Sequence, residues 1–294
     1  MKAYLKLIRW PNVLMIGTIQ YVWRYCLVLQ EIPKSDLLFN EFQFGLLVLS
    51  SMLIAGGGYA INDYFDIKTD RYNKGGDIIV SKLIKRTHVL RFHIYSSIAA
   101  CIICLFVGWQ LSLLFWALLG PLSIALLYMY SSYFKRTFLF GNLLVSSLIA
   151  VLVFALVYLE MLYSSGEGIA MSLLVTFAGF AFISNLIREI IKDVEDRKGD
   201  KLTGCTTVPI VLGVNKTKQI IVGLILICQA AILTATFHFR GDTLSFLYAF
   251  ALLIAPLSWC IYLVKFAQSK KTFHSASSWL KLIMLVGMFT ILLV

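Results

Sequence analysis

Apolar residues run in blocks of about twenty along most of the chain, and the stretches between them gather the polar and charged positions. A block of that length crosses the hydrocarbon core of a bilayer as an α-helix. Nine spans are predicted, at 11–30, 43–62, 88–108, 111–130, 138–160, 169–189, 218–238, 243–264 and 278–294. The expected fold class is therefore all-α: a polytopic membrane protein with nine transmembrane helices. Little chain is left over for a soluble domain, so residues 1–294 read as one transmembrane domain.

Composition agrees. Of the 294 residues 60% are hydrophobic and only 14% are charged, and the mean hydropathy is +0.84. A soluble domain of this length needs more polar surface. The net charge of +11 does not call for a nucleic-acid partner, because a basic face toward cytoplasm and anionic lipid accounts for it. That face could also hold an anionic substrate. Segments 1–10, 63–92, 131–137, 188–218 and 265–281 collect 23 of the 26 Lys and Arg residues; Arg24, Lys34 and Arg240 are the exceptions. The positive-inside rule then predicts a cytoplasmic N-terminus, cytoplasmic loops at those segments and, with an odd number of spans, an outside C-terminus. The start, MKAYLKLIRWPN, runs straight into a full-length apolar stretch, so no cleavable leader is expected. The six cysteines fall mostly inside spans, and the Cys101-x-x-Cys104 pair has no second pair to match it. Packing is the expected role for all six.

The acidic residues change the picture most. Nine of the 15 lie in two places: Asp63, Asp66, Asp70 and Asp77, then Glu189, Asp193, Glu195, Asp196 and Asp200. Both places close an even-numbered span on the predicted cytoplasmic side. Asp63, Asp66 and Asp70 stand at i, i+3 and i+7, and so do Asp193, Asp196 and Asp200. On a helix that spacing lines three carboxylates along one side, where they repel one another. A divalent cation relieves the repulsion, and hard oxygen ligands suit Mg²⁺, which binds through a few carboxylates plus substrate phosphates. Either cluster alone would pass for a solvated helix end. Two with the same spacing on the same face point to a clamp for a metal–diphosphate unit, and they hint at an internal duplication.

Basic residues lie beside both clusters. Arg188 and Lys192 stand at i, i+4 and suit phosphate oxygens, while Lys135 and Arg136 sit on the short loop after the fourth span, where a plain membrane anchor is the simpler reading. Gly56-Gly57-Gly58, just before Asn62, would let helices approach closely. Arg24, inside the first span, has to pair or snorkel. His88, His93, His238 and His274 form no ligand cluster in the sequence, and no nucleophile motif stands out.

Asn62-Asp63-Tyr64-Phe65-Asp66-x3-Asp70 resembles the NDxxDxxxD motif of the UbiA superfamily of intramembrane prenyltransferases, and Asp193-x2-Asp196-x3-Asp200 resembles that family's second motif. The likeness extends to Tyr130-Ser131-x3-Lys135-Arg136 with Gly141-Asn142, and to Arg9-x-Pro11. This resemblance implies nine helices around a central cavity capped by cytoplasmic loops, and Mg²⁺-dependent transfer of a prenyl chain from its diphosphate to a lipophilic acceptor. It implies that Asn62, Asp63, Asp66 and Asp70 hold one metal, and that Asp193, Asp196 and Asp200 hold the other. Catalytic roles then fall to Asp66, Asp70, Asp193 and Asp196, and diphosphate contacts to Lys135, Arg188, Lys192 and Arg71. The run Arg188-Glu-Ile-Ile-Lys192-Asp-Val-Glu-Asp196-Arg-Lys-Gly-Asp200 looks most like the branch that prenylates geranylgeranylglyceryl phosphate. One departure is Gly75-Gly76-Asp77, where that branch carries Pro-x-Arg; Lys82, Lys85 or Arg86 would have to replace the arginine.

Other readings make different demands on the sequence. An aromatic, quinone-precursor prenyltransferase would share the same site. A cation-coupled transporter would place acids at mid-membrane and break its helices, whereas these acids sit at one face. A CDP-alcohol type transferase carries a different aspartate, glycine and arginine spacing.

Overall fold

The computed structural model describes residues 2–74, 78–164, 168–239 and 243–293. Arg240 and the Gly75-Gly76-Asp77 departure lie outside the described residues. Among those described, the main elements are all helices: α1 (Lys2–Leu7), α2 (Trp10–Trp23), α3 (Glu41–Phe65), α4 (Ile67–Lys74), α5 (Arg86–Gln110), α6 (Leu114–Ser132), α7 (Phe140–Tyr163), α8 (Gly168–Leu202), α9 (Val214–Phe239), α10 (Thr243–Phe266) and α11 (Lys270–Phe289). Eight of these are long and apolar enough to cross a membrane. The ninth predicted span is α2, which a π-helical turn at Arg24–Val28 carries on to Glu31.

Two helices differ from their predicted bounds. The α8 helix continues well past residue 189, because Ile187, Ile190, Ile191 and Val194 keep an i, i+3, i+4, i+7 stripe buried against the unit's core. It stops at Gly204, whose φ of +76° only glycine adopts without strain. There Cys205 N–H donates to Asp200 O at 2.9 Å and Gly204 N–H to Lys201 O at 3.4 Å, the paired bonds of a Schellman cap. The α11 helix begins at Lys270, ahead of 278, because Ser269 and Thr272 form a capping box.

The chain divides into two compact units: Met1–Lys135 with Val151–Gly166, and Arg136–Ala150 with Glu167–Val294. In the first unit α3 is the hub, packed by α2, α5 and α6. Gly57 and Gly58 make that possible. A Cβ on Gly57 would stand 2.5 Å from Ser96 Oγ of α5, and one on Gly58 3.0 Å from Leu127 of α6. The Gly57 carbonyl, left reachable, lies 3.1 Å from His93 Nδ1. Arg24 pairs, as a charge in a span must. Its fully buried guanidinium lies 3.3 Å from the equally buried Glu160, donates to Phe39 O at 2.6 Å and sits 4.1 Å above the ring of Phe44.

In the second unit α8 packs on α11 and α9. The π-helical turn of α10, Phe250–Ile254, is tied to α9 by Gln229 Nε2, which donates to Ile254 O at 3.0 Å and to Ser258 Oγ at 2.8 Å. Each unit carries one of the two aspartate clusters.

Candidate active site

The first cluster straddles the joint between α3 and α4. Asp66 caps α3 with φ −82° and ψ 0°, a turn conformation. The backbone ladder survives it: Asp66 N–H donates to Asn62 O at 3.0 Å, and Asp70 N–H to Asp66 O at 2.8 Å. Helical phase is kept from Asn62 to Asp70, so the predicted alignment of carboxylates holds across the bend.

Cations already address this cluster. Lys135 sits on a 3₁₀ turn, Phe134–Arg136, directly after α6. Its Nζ donates to Asp66 Oδ2 and to Asn62 Oδ1 at 3.3 Å. Burial alone would lower the Lys135 pKa; the Asp66 carboxylate outweighs it, with help from Asp70, and holds the ammonium above the usual lysine range. Arg9 Nη2 donates to Asp63 Oδ1 at 3.2 Å, while its guanidinium lies 4.7 Å over the ring of Tyr59. Arg9 reaches there from a left-handed backbone (φ 51°) as the N-cap of α2, one residue before the Trp10-Pro11 start of that helix. Arg71 is exposed on α4, and Asp70 is half-buried. Of the basic residues considered as replacements for the branch's arginine, Arg86 stacks 4.2 Å over Tyr64, beside the motif; Lys82 and Lys85 are exposed.

The second cluster rides on the continuous α8. Asn142 Nδ2 donates to Asp193 Oδ2 at 2.8 Å. Ser146 Oγ donates to Asn142 O at 2.6 Å and accepts from Asn185 Nδ2 at 3.1 Å. These polar residues, spaced i, i+4 on α7 and i, i+8 on α8, tie the start of α7 to α8 through a buried ladder. Glu189 Oε1 accepts from Arg188 Nη1 at 2.9 Å and lies 3.7 Å from Lys192 Nζ. From the first turns of α11, Lys270 Nζ lies 3.7 Å from Asp196, and His274 Nδ1 lies 3.1 Å from Glu195. Asp200 is buried next to the helix stop, and the loop beyond it is pinned where Thr206 donates to Arg136 O.

In the first unit Asp66 and Asn62 come together with the predicted base Lys135; in the second, Arg188 and Lys192 turn to Glu189, while Asp193 meets Asn142 and Asp196 meets Lys270. Arg71 has no interaction of this kind that places it at the cluster. The sequence gathered Glu189 with the second cluster but did not point to Asn185, Ser146, Lys270 or His274 as its partners; the one available signal was polar residues at helical spacing inside an apolar span. Among the described residues no three His, Cys, Asp or Glu side chains converge into a ready-made metal cage. The donors at each cluster are oxygens, which suits a hard cation that keeps water and substrate oxygens as its other ligands. Arg188 Nε is buried without a hydrogen-bond partner, an orphaned donor suited to an anionic oxygen.

Known proteins resemble this chain along most of its length. The digeranylgeranylglyceryl phosphate synthase of Methanosarcina mazei is 30% identical over 225 residues, 73% of this chain and 72% of that protein. The synthase of the same name from Saccharolobus solfataricus is 33% identical over 210 residues, 70% and 69% of the two chains. A solved UbiA homolog from Archaeoglobus fulgidus, bound to GPP and Mg²⁺, shares the fold with a TM-score of 0.63 at 16% identity, across 99% of this chain and all of that one. The family model described as the UbiA prenyltransferase family matches residues 26–286, a stretch that takes in both aspartate clusters and both units. With the motifs, the helices and these relatives in agreement, the chain belongs to the UbiA prenyltransferase family.

Proposed function

We propose that this prenyltransferase moves a prenyl group from an isoprenyl diphosphate to a prenylglyceryl phosphate, the acceptor class named by its relatives. The observation that carries the reading is the pairing, within each unit, of a D-x2-D-x3-D carboxylate row with basic side chains fixed beside it. Mg²⁺ at the carboxylates, when bound, neutralises the leaving diphosphate and acts as template and Lewis acid. Asn62, Asp66 and Asp70 would hold one ion, and Asp193, Asp196 and Asp200 the other. Asp63 is better suited to anchoring Arg9, which its carboxylate already accepts from.

Lys135, Arg188, Lys192 and Arg71 supply positive charge to the diphosphate oxygens. The allylic C–O bond breaks, its electron pair leaves with the diphosphate, and the acceptor hydroxyl oxygen closes on C1 while its proton passes to the released diphosphate. Water must be kept from the allylic cation, a task suited to the apolar helices. The reading takes residues 1–294 as one working domain. It places the N-terminus and both clusters on the cytoplasmic side and the C-terminus outside, supported by the distribution of Lys and Arg.

The test is an acceptor screen with purified protein, Mg²⁺ and radiolabelled geranylgeranyl diphosphate. Transfer to a prenylglyceryl phosphate in preference to aromatic acids and naphthoates is expected. Transfer to an aromatic instead would keep the metal site and overturn the acceptor; no transfer, with no effect of EDTA, would overturn the reading as a whole.

A further inference from the structure

The second unit holds a chamber of about 990 Å³, open on one side, between α8, α9, α10 and the end of α11. Its floor is buried, at Leu173, Cys228 and Leu253; its rim is exposed, at Phe237 and Tyr248. Helix-bundle interiors are close-packed, with few voids larger than a water molecule, and this volume is near the top of the roughly 300–1,000 Å³ range of small-molecule sites. Something fills it.

The walls say what. Six Ser and Thr hydroxyls line the chamber, at Ser172, Thr176, Thr234, Thr236, Ser245 and Thr290, and five of them are spent on their own helix. Ser172 donates to Gly168 O, Thr176 to Ser172 O, Thr234 to Ala230 O, Thr236 to Ile232 O and Thr290 to Gly287 O, at 2.7 to 3.1 Å. Water in a buried space needs two to four polar partners, and these hydroxyls have donated their protons elsewhere. The space is thus effectively apolar and suited to hydrocarbon. Along α8 it runs from Ser172 to Ile183, about 16 Å at 1.5 Å per residue, or roughly half of a ~30 Å hydrocarbon core. That is the depth of one leaflet.

Its other end is remote from the carboxylates. Ile183 lies ten residues before Asp193 on the unbroken α8, about 15 Å away. The rim carries His238, Phe239 and Tyr248, side chains of the kind that sit at a membrane–water interface.

We propose that this chamber is a lipid site: it takes one hydrocarbon chain of a bilayer lipid of the leaflet opposite the aspartate clusters, with the head group at the His238–Tyr248 rim. The lining also offers a way to close it. A Cβ on Gly179, which lines the chamber, would meet no atom within 4 Å, so the side chain of Gly179→Phe starts into the space without a clash at its root. Gly223, on α9 but outside the lining, is equally open and serves as the control.

The test uses the full chain in nanodiscs of phosphatidylcholine doped with a phosphatidylcholine that carries a diazirine on one acyl chain. After photolysis, labelled peptides are mapped by mass spectrometry. Label is expected on residues 172–183 and 231–239, reduced at least tenfold in G179F and unchanged in G223F. Excess geranylgeranyl diphosphate should not compete. Equal labelling of wild type and G179F would overturn the proposal. Loss of label on adding the prenyl diphosphate would also overturn it, by giving the chamber to the donor's tail. Thr176→Phe enters the same space and gives the same reading if G179F does not fold.

Discussion

Lys135 holds the place of a cation. Its ammonium rests on Asp66 and Asn62, so the carboxylate row is compensated before any substrate arrives, and a diphosphate would meet a charge already fixed in position. Replacing Asp66 or Asp196 with alanine removes one charge from a site where electrostatic stabilisation counts; one such group is typically worth about 10²–10³ in kcat. At least that loss is expected for either variant, with wild-type amounts of protein in the membrane, and wild-type turnover in both would contradict the clamp. The pH dependence has a definite sign. A folded-state pKa raised above the usual lysine range keeps Lys135 charged throughout the neutral range, and the ion pair is lost only as pH rises through that raised value. The pH–rate profile between pH 6 and 9 should therefore carry no limb that disappears in Lys135→Arg. The carboxylate rows were legible from spacing alone, because helical periodicity turns i, i+3, i+7 into a face. Arg9 with Asp63 and Asn142 with Asp193 were not, because they join residues 54 and 51 positions apart and no local pattern encodes such a meeting.

Among the elements, the spans were readable because length and hydropathy are additive along the chain, and helix ends were less so. The end of α8 looked like a charged loop; the buried stripe Ile187, Ile190, Ile191 and Val194 carried the helix onward, and that stripe pays off only against the unit's core. The break at Asp66 has the opposite origin, since its turn conformation ends α3 while α4 resumes in phase. The π-helical turn in the first span was not predictable from apolar content. It begins at Arg24, whose buried guanidinium meets Glu160. Breaking a buried pair by removing one partner typically costs about 3–5 kcal/mol. Glu160→Leu should therefore destabilise the protein in a detergent unfolding assay by about that much, while the double variant Arg24→Leu/Glu160→Leu should be less destabilised than Glu160→Leu alone. A double variant as unstable as the sum of the two singles would mean that the charges act independently.

For the whole molecule, the hydropathy pattern showed nine crossings but not two compact units, because which helices pack together depends on long-range contacts such as α8 with α11. The repeated aspartate spacing was the one trace of that division, one cluster to each unit. The units also treat their clusters differently: the first motif crosses a joint, and the second sits on a helix of 35 residues with no break. At 1.5 Å per residue that helix is about 52 Å long, against roughly 30 Å of hydrocarbon. It is a rigid ruler standing in the membrane, with its carboxylates near one tip. A thicker bilayer draws the ruler's markings toward lipid and a thinner one pushes them toward water, at a cost of fractions of a kcal/mol per ångström. Turnover in vesicles of increasing acyl-chain length should accordingly pass through a maximum, and in Gly179→Phe the maximum should stay at the same length; a rate indifferent to thickness would show that the second motif can slide free of its span. Membrane thickness then joins the ionic conditions as a quantity the enzyme reads, gauged by nothing more than an uninterrupted run of backbone hydrogen bonds.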